Sequence, residues 1–132
     1  MSYGMLINGE LVSEASTLEV INPATEAVFE TVPRADIAQM NAAVAAAKAA
    51  QKAWAETSMT SRRALLEELA DAIGAEADTF ARIITQEQGK PLPEAAGEVE
   101  WSQGYLMHTA SLQLPDRVIQ DDDQFRIETR HK

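Results

Sequence analysis

The groups that could do chemistry in this chain are two histidines, a set of glutamates and a run of aspartates. His108 and His131 are the only histidines. A zinc centre needs several His or Cys ligands at close spacing, and the chain has no cysteine. His108 falls in a helical stretch as a packing or surface residue, and His131 lies in the basic, solvated run Arg130-His131-Lys132. Glu94, Glu98 and Glu100 cluster at the start of a helical stretch. Paired carboxylates can trade a proton with a substrate, but acids at a helix N-terminus also complement its dipole and face water. Asp121-Asp122-Asp123 offers oxygen ligands to a hard cation without the remaining spacing of a calcium loop, so it reads as a solvated turn. There is no Gly-x-Ser-x-Gly elbow, no Gly-x-Gly-x-x-Gly turn and no phosphate-binding loop. Residue chemistry alone therefore gives an α-rich domain with no catalytic constellation. No residue is assigned a catalytic, cofactor-binding or metal-binding role.

The 132 residues suffice for one small domain, and 45% hydrophobic with 24% charged residues is an ordinary globular balance. Aromatics are only 5%, so helix contacts must rely on Ala, Leu, Ile and Val. A formal net charge of −10 repels phosphate backbones and anionic lipid, so neither nucleic acid nor membrane is expected as a partner. The first residues lack a basic segment followed by an apolar core. The longest apolar run, Ala42 to Ala47, is far too short to span a bilayer. A cytoplasmic location is the default expectation.

The elements that must position any site can be read from local signals. Met5-Leu6-Ile7, Asn8-Gly9 and Leu11-Val12 predict a hairpin, because Asn-Gly favours positive φ at both turn positions. Leu18 to Ile21 is a strand ending near Asn22, since the residue before a proline avoids the α region. Ala27 to Val32 is another, closed by Pro33. Asp36 caps a helix whose Ile37, Met40, Val44, Ala47 and Trp54 form one stripe, expected to be buried. Thr57 to Ser61 supplies a turn and a cap for a second helix. Its Leu65, Leu66, Leu69 and Ile73 are expected inward, with Arg62, Arg63, Glu67 and Glu68 outward and Gly74 loosening its end. A third helix runs from Glu76 to Gln88, with Phe80, Ile83 and Ile84 inward. Gly89 supplies the left-handed stop, Lys90 places positive charge by the last carbonyls, and Pro91 prevents continuation. Pro93 opens a fourth helix, with Ala96, Val99, Leu106 and Ala110 on one face, Trp101 and Tyr105 beside it, and Pro115 at its end. Arg117 to Gln120 is a short strand or connector. Phe125 to Thr129 is a strand with one buried face and no obvious later partner. The chain thus divides into β-rich hairpins (1–33), four helices (34–114) and terminal strands (115–132).

The ordered set Leu6-Ile7-Asn8-Gly9-Glu10, Val20-Ile21-Asn22-Pro23-Ala24-Thr25, Ala43-Val44, Ala46-Ala47, Trp54, Arg63 to Leu66 and Glu87-Gln88-Gly89-Lys90-Pro91-Leu92, followed by Glu94-Ala95 and Glu98-Val99, resembles the N-terminal part of an NAD(P)-dependent aldehyde dehydrogenase. The resemblance covers nearly the whole chain. It implies an α/β fold of which this chain is the N-terminal helical and peripheral-strand portion, with the central cofactor-binding sheet and catalytic domain missing. It implies oxidation of an aldehyde to a carboxylic acid with NAD or NADP. In that family a cysteine thiolate attacks the carbonyl, hydride passes to the nicotinamide, and a glutamate activates the water that hydrolyses the thioester. All of those groups lie downstream in family members, so none maps onto Glu87, Glu94, Glu98 or any other residue here. The segment alone is expected to bind no cofactor and to be inactive. The implied partners are the rest of the aldehyde dehydrogenase chain and further copies in a homo-oligomer (dimer or tetramer), with residues 115–132 in the oligomerisation element. Some members hold a structural monovalent cation with carbonyls near the Asn-Pro turn and an acid of the fourth helix. The corresponding groups are the carbonyls of Val20 and Ile21 and the carboxylate of Glu98, one residue out of register with some members, so no cation site is assigned. The Gln88-Gly89-Lys90-Pro91 wording is also similar to that of semialdehyde dehydrogenases.

A second reading stands beside the first: a stand-alone acidic helical interaction module, or a truncated paralogue that docks on full-length subunits. The amphipathic helices could form a core of their own. The enzyme-portion reading is the stronger of the two, because helical modules rarely need N-terminal strands or the Gly-Lys-Pro stop in this arrangement.

Overall fold

Asn8 and Gly9 hold φ of 54° and 81°, the paired positive values a two-residue type I′ turn demands. They close strand β1 (Met5–Ile7) on β2 (Glu10–Val12) with Ile7 opposite Glu10. The computed structural model describes residues 3–12 and 16–130. His131 and Lys132 lie outside them.

Strand β3 (Thr17–Asn22) pairs antiparallel with β4 (Ala27–Pro33), with a register shift between Val20 and Ile21. The turn between them is built by one side chain and one carbonyl. Asn22 Oδ1 accepts from the N–H of Ala24 at 2.9 Å, and Asn22 O accepts from Glu26 N–H at 2.8 Å. Pro23 is held inside this turn.

Helix α1 (Ile37–Glu56) begins with a full capping box: Asp36 accepts from Gln39 N–H, and the Gln39 side chain accepts from Asp36 N–H, both at 2.8 Å. Helix α2 (Met59–Ala75) is capped by Ser58, whose hydroxyl accepts from Ser61 N–H. Helix α3 (Ala77–Gln88) stops at Gly89, at φ 73° and ψ 14°, whose N–H donates to Thr85 O at 2.9 Å. Helix α4 (Leu92–Ser111) starts with Pro93 in its first turn. Helices α2 and α3 both pack on α4. The seam is made of small residues: Ala70, Ala81, Ala95, Val99 and Ala110 are the buried apolar side chains. Gly74 continues α2 instead of loosening it, and the Gln103 side chain of α4 occupies the space a Cβ would need. Strands β5 (Arg117–Asp121) and β6 (Arg126–Thr129) form a third antiparallel hairpin, shifted in register between Val118 and Gln120.

Several expectations are corrected by this packing. The α1 stripe is open: Ile37 is 82% exposed, Met40, Val44 and Trp54 are also exposed, and no residue of the helix is buried. Periodicity identified its apolar face, but within the described residues no other helix packs broadly against it. Leu65, Leu69 and Phe80 are exposed too, although their helices pack on α4, and Ala95 takes the buried place expected of Ala96. Helix α4 ends at Ser111, short of Pro115, because Leu112 turns to extended backbone. Arg62 and Arg63 are half-buried, with their guanidinium groups on carbonyls at two helix ends. The last strand begins at Arg126, so Phe125 stays outside it, and it has a partner, β5, while Phe125 and Ile127 remain exposed.

The total accessible surface is 10488 Å² for 14.4 kDa. A folded monomer of this mass exposes about 6,800 Å² by the usual scaling of surface with mass, so roughly 3,600 Å² is in excess. Most of the large apolar side chains named above contribute to it.

Candidate functional site

The first turns of α2 gather the side chains that join otherwise loosely held elements. Arg62 Nη2 donates to Trp54 O at 2.8 Å and Ala55 O at 3.0 Å, the last carbonyls of α1. Its guanidinium also lies 5.3 Å from the centre of the Trp54 ring, a cation–π arrangement. Arg63 Nη2 donates at 2.7 Å to the carbonyl of Leu112, the residue that ends α4. Two neighbouring arginines thus cap the C-termini of two different helices, where orphan carbonyls and the negative end of the dipole favour a cation. The signal available in sequence was a tandem arginine one turn into a helix that follows a tryptophan, a pattern that surface charge explains equally well.

These residues border a groove of about 660 Å³ between α2 and the end of α4. Leu65, Leu66, Leu69, Leu112 and Leu114 supply its apolar wall, and Arg130 closes one edge while ion-paired to Glu128.

A second junction joins the two most distinctive sequence runs. A Cβ on Gly89 would sit 3.0 Å from Pro23 Cγ, so the glycine stop of α3 lies directly on the Asn22-Pro23 turn. Beside it, the ammonium of Lys90 pairs with the carboxylate of Glu98 on α4. Lys90 therefore bridges across to α4, and Glu98 is engaged by a cation from the chain itself.

The remaining chemical candidates are not brought together. His108 is exposed in the last turn of α4, and Ser111 Oγ donates to its carbonyl at 2.6 Å. Asp122 organises the β5–β6 turn: Oδ1 accepts from the N–H groups of Gln124 and Phe125, and Oδ2 from the side chain of Gln120. The Gln120 hydrogen bond, then those from Gln124 and Phe125, hold this carboxyl below its ordinary value. Among the described residues no group of three or more His, Asp or Glu side chains could hold a metal ion, and no helix is long and apolar enough to cross a membrane. Among the described residues the strands pair only as three antiparallel hairpins. The arginines of the groove are committed to carbonyls and to Glu128.

Comparison with known proteins gives one consistent answer. The profile of the aldehyde dehydrogenase family matches residues 11–131. A 3,6-anhydro-α-L-galactose dehydrogenase of Streptomyces coelicolor is 47% identical over 91 residues, which is 69% of this chain and 18% of that protein. A human methylmalonate-semialdehyde/malonate-semialdehyde dehydrogenase is 37% identical over 110 residues, 82% of this chain and 21% of that protein. Among solved structures, betaine aldehyde dehydrogenase of Staphylococcus aureus in complex with NAD+ superposes with a TM-score of 0.87 at 26% identity, over 93% of this chain and 26% of that one. Lactaldehyde dehydrogenase of Escherichia coli does so with a TM-score of 0.86 at 28% identity, over 92% of this chain and 26% of that one. The chain spans about a fifth of the length of the first two relatives and about a quarter of each solved chain.

Proposed function

The chain belongs to the aldehyde dehydrogenase family, an oxidoreductase family, and we propose from that membership that it serves as the N-terminal scaffold portion of an NAD(P)-dependent enzyme oxidising an aldehyde to a carboxylic acid. In this reading the thiolate, the general base and the nicotinamide site belong to the rest of the enzyme. The chain has no cysteine to act as nucleophile. Its own contribution is a set of faces: the α1 stripe, the groove beside α2, and the β5–β6 hairpin. The partners are the remainder of an aldehyde dehydrogenase chain and further subunits of a homo-oligomer, a dimer or tetramer, in the cytoplasm.

The observation that carries the reading is the roughly 3,600 Å² of surface beyond what a free-standing chain of this mass exposes; large obligate interfaces bury about 2,000–5,000 Å² or more counted over both partners, so the excess on this one side matches an extensive interface or more than one. NAD+ on a solved relative of the same fold supports a nicotinamide cofactor for the complete enzyme. The test is to incubate the purified chain with NAD+ or NADP+ and a panel of aldehydes that includes semialdehydes, and to follow nicotinamide reduction. No turnover and no saturable cofactor binding are expected. Saturable turnover by a homogeneous sample would overturn the proposal.

The open α1 stripe favours one alternative, a truncated paralogue that docks on full-length subunits. It is distinguished by co-purification: only the paralogue reading expects the chain to be recovered as a separate polypeptide on an otherwise complete enzyme.

A further inference from the structure

The hairpin β5–β6 is attached to the helices through residues 112–116, which form neither helix nor strand, and no helix packs broadly against either strand. It carries exposed Val118, Ile119, Phe125 and Ile127. An arm of this kind takes its direction from its root. The root is Leu112, whose N–H returns to Thr109 O at 3.2 Å and whose carbonyl receives Arg63. That last bond spans 49 positions of sequence. A guanidinium is suited to the task. It stays charged at all working pH values, its donors lie in a rigid plane, and a carbonyl at a helix end attracts it. Helix α1 meets the same turn of α2 at its C-terminal end, where Arg62 holds its last carbonyls and Trp54; β1 also touches α1, and no other helix packs broadly against it.

We infer that Arg62 and Arg63 are a pair of positioning residues with separate duties: Arg63 latches the root of the β5–β6 arm and sets the direction in which its apolar face is presented, and Arg62 sets α1. The inference concerns the presentation of the arm and holds whether or not the chain works inside an aldehyde-oxidising enzyme. It makes α2 the hub from which two exposed apolar faces are oriented.

The absence of cysteine allows site-specific spin labelling without a background. One label pair, Glu100→Cys with Gln124→Cys, reads α4 against the tip of the arm. A second, Glu100→Cys with Ala42→Cys, reads α4 against α1. Pulsed electron–electron resonance on the full 132-residue chain is expected to give one main distance for each pair. Arg63→Gln is expected to broaden or shift the arm distance at least twofold in width and to leave the α1 distance in place. Arg62→Gln is expected to do the reverse, and Arg63→Lys, which keeps the charge and loses the planar fork, to fall between Arg63→Gln and the unsubstituted chain. A general loss of stability would broaden both pairs together, and that result overturns the inference, as does an arm distance unmoved by Arg63→Gln. Should Arg63→Gln lose its helical circular dichroism, Arg63→Lys decides: an arm distance as narrow as in the unsubstituted chain overturns it. A flat arm distribution in the unsubstituted chain overturns it as well, since Leu112 would then have no fixed partner.

Discussion

Gly89→Ala should be costly out of proportion to the single methyl it adds. Gly89 is held at φ 73°, where an L side chain brings Cβ against the following carbonyl, at a cost of about 1–2 kcal/mol. The added Cβ also meets Pro23 Cγ at 3.0 Å, closer than ordinary van der Waals contact. Pro23 cannot easily retreat, because Asn22 fixes both sides of its turn through Ala24 and Glu26. Relief must come from moving the β3–β4 hairpin off α3, and strain of this kind adds roughly another 1 kcal/mol. The sum is about 2–3 kcal/mol, or a fall in Tm of roughly 6–12 °C for a chain of this size. The assay is urea unfolding followed by helical circular dichroism, with two companions. Gly97→Ala, where no atom lies within 4 Å of the new Cβ, should stabilise by about 0.5–1 kcal/mol through helix propensity. Pro23→Ala should make Gly89→Ala cheaper, with a coupling of about 0.5–1 kcal/mol. Equal costs for Gly89→Ala with and without Pro23 would refute the claim that the two sequence runs are in contact.

Other consequences are more direct. Arg62→Ala removes two hydrogen bonds to the end of α1 and the Trp54 stack; a loss of about 1–3 kcal/mol is expected, read as faster amide exchange confined first to the last turns of α1. Gly74→Ala should stabilise by up to about 0.5–1 kcal/mol in the same unfolding assay, since the new methyl meets only the far end of the flexible Gln103 side chain, which can swing aside; a clear loss of stability that Gln103→Ala relieves would show instead that Gln103 is held in place. The Asp122 carboxyl is held below its ordinary value, so its contribution to the β5–β6 turn is complete above the unfolded-state pKa and is lost as pH falls through the lower folded value. A carboxyl NMR titration should therefore show Asp122 inflecting at lower pH in the native chain than in urea, and hairpin signals unchanged between pH 7 and 5. An apolar dye such as ANS should bind the isolated chain strongly, given the exposed stripe of α1, and binding should weaken with Ile37→Lys plus Val44→Lys.

The features legible in the sequence were those whose physics is local. Asn8-Gly9, Asp36 and Gly89 each act on backbone groups within four residues, so residue type and position nearly determine the outcome. The α1 stripe shows the other side. Ile37, Met40 and Val44 announce an apolar face, but periodicity says nothing about what covers it, and here no other described helix does. Gly74 read as a weak helix end because the need for Gln103 to approach it comes from another helix. Arg62 and Arg63 read as solvated charges because a long cationic side chain can lie along apolar surface and deliver its head to distant carbonyls, a destination that spacing does not encode. Family membership was legible for a different reason: the motifs are individually weak, but their order along the chain is not accidental, and the profile match over residues 11–131 agrees with it.

The proposed scaffold role requires a catalytic remainder joined to this chain. The most direct measurement is to read the coding DNA immediately beyond Lys132. An open frame is expected there, continuing into a strand resembling Pro-Leu-Gly-Val and, later, a segment bearing the nucleophilic cysteine. A stop codon directly after Lys132 would contradict it and leave the apolar faces of α1 and the β5–β6 arm to a separate partner.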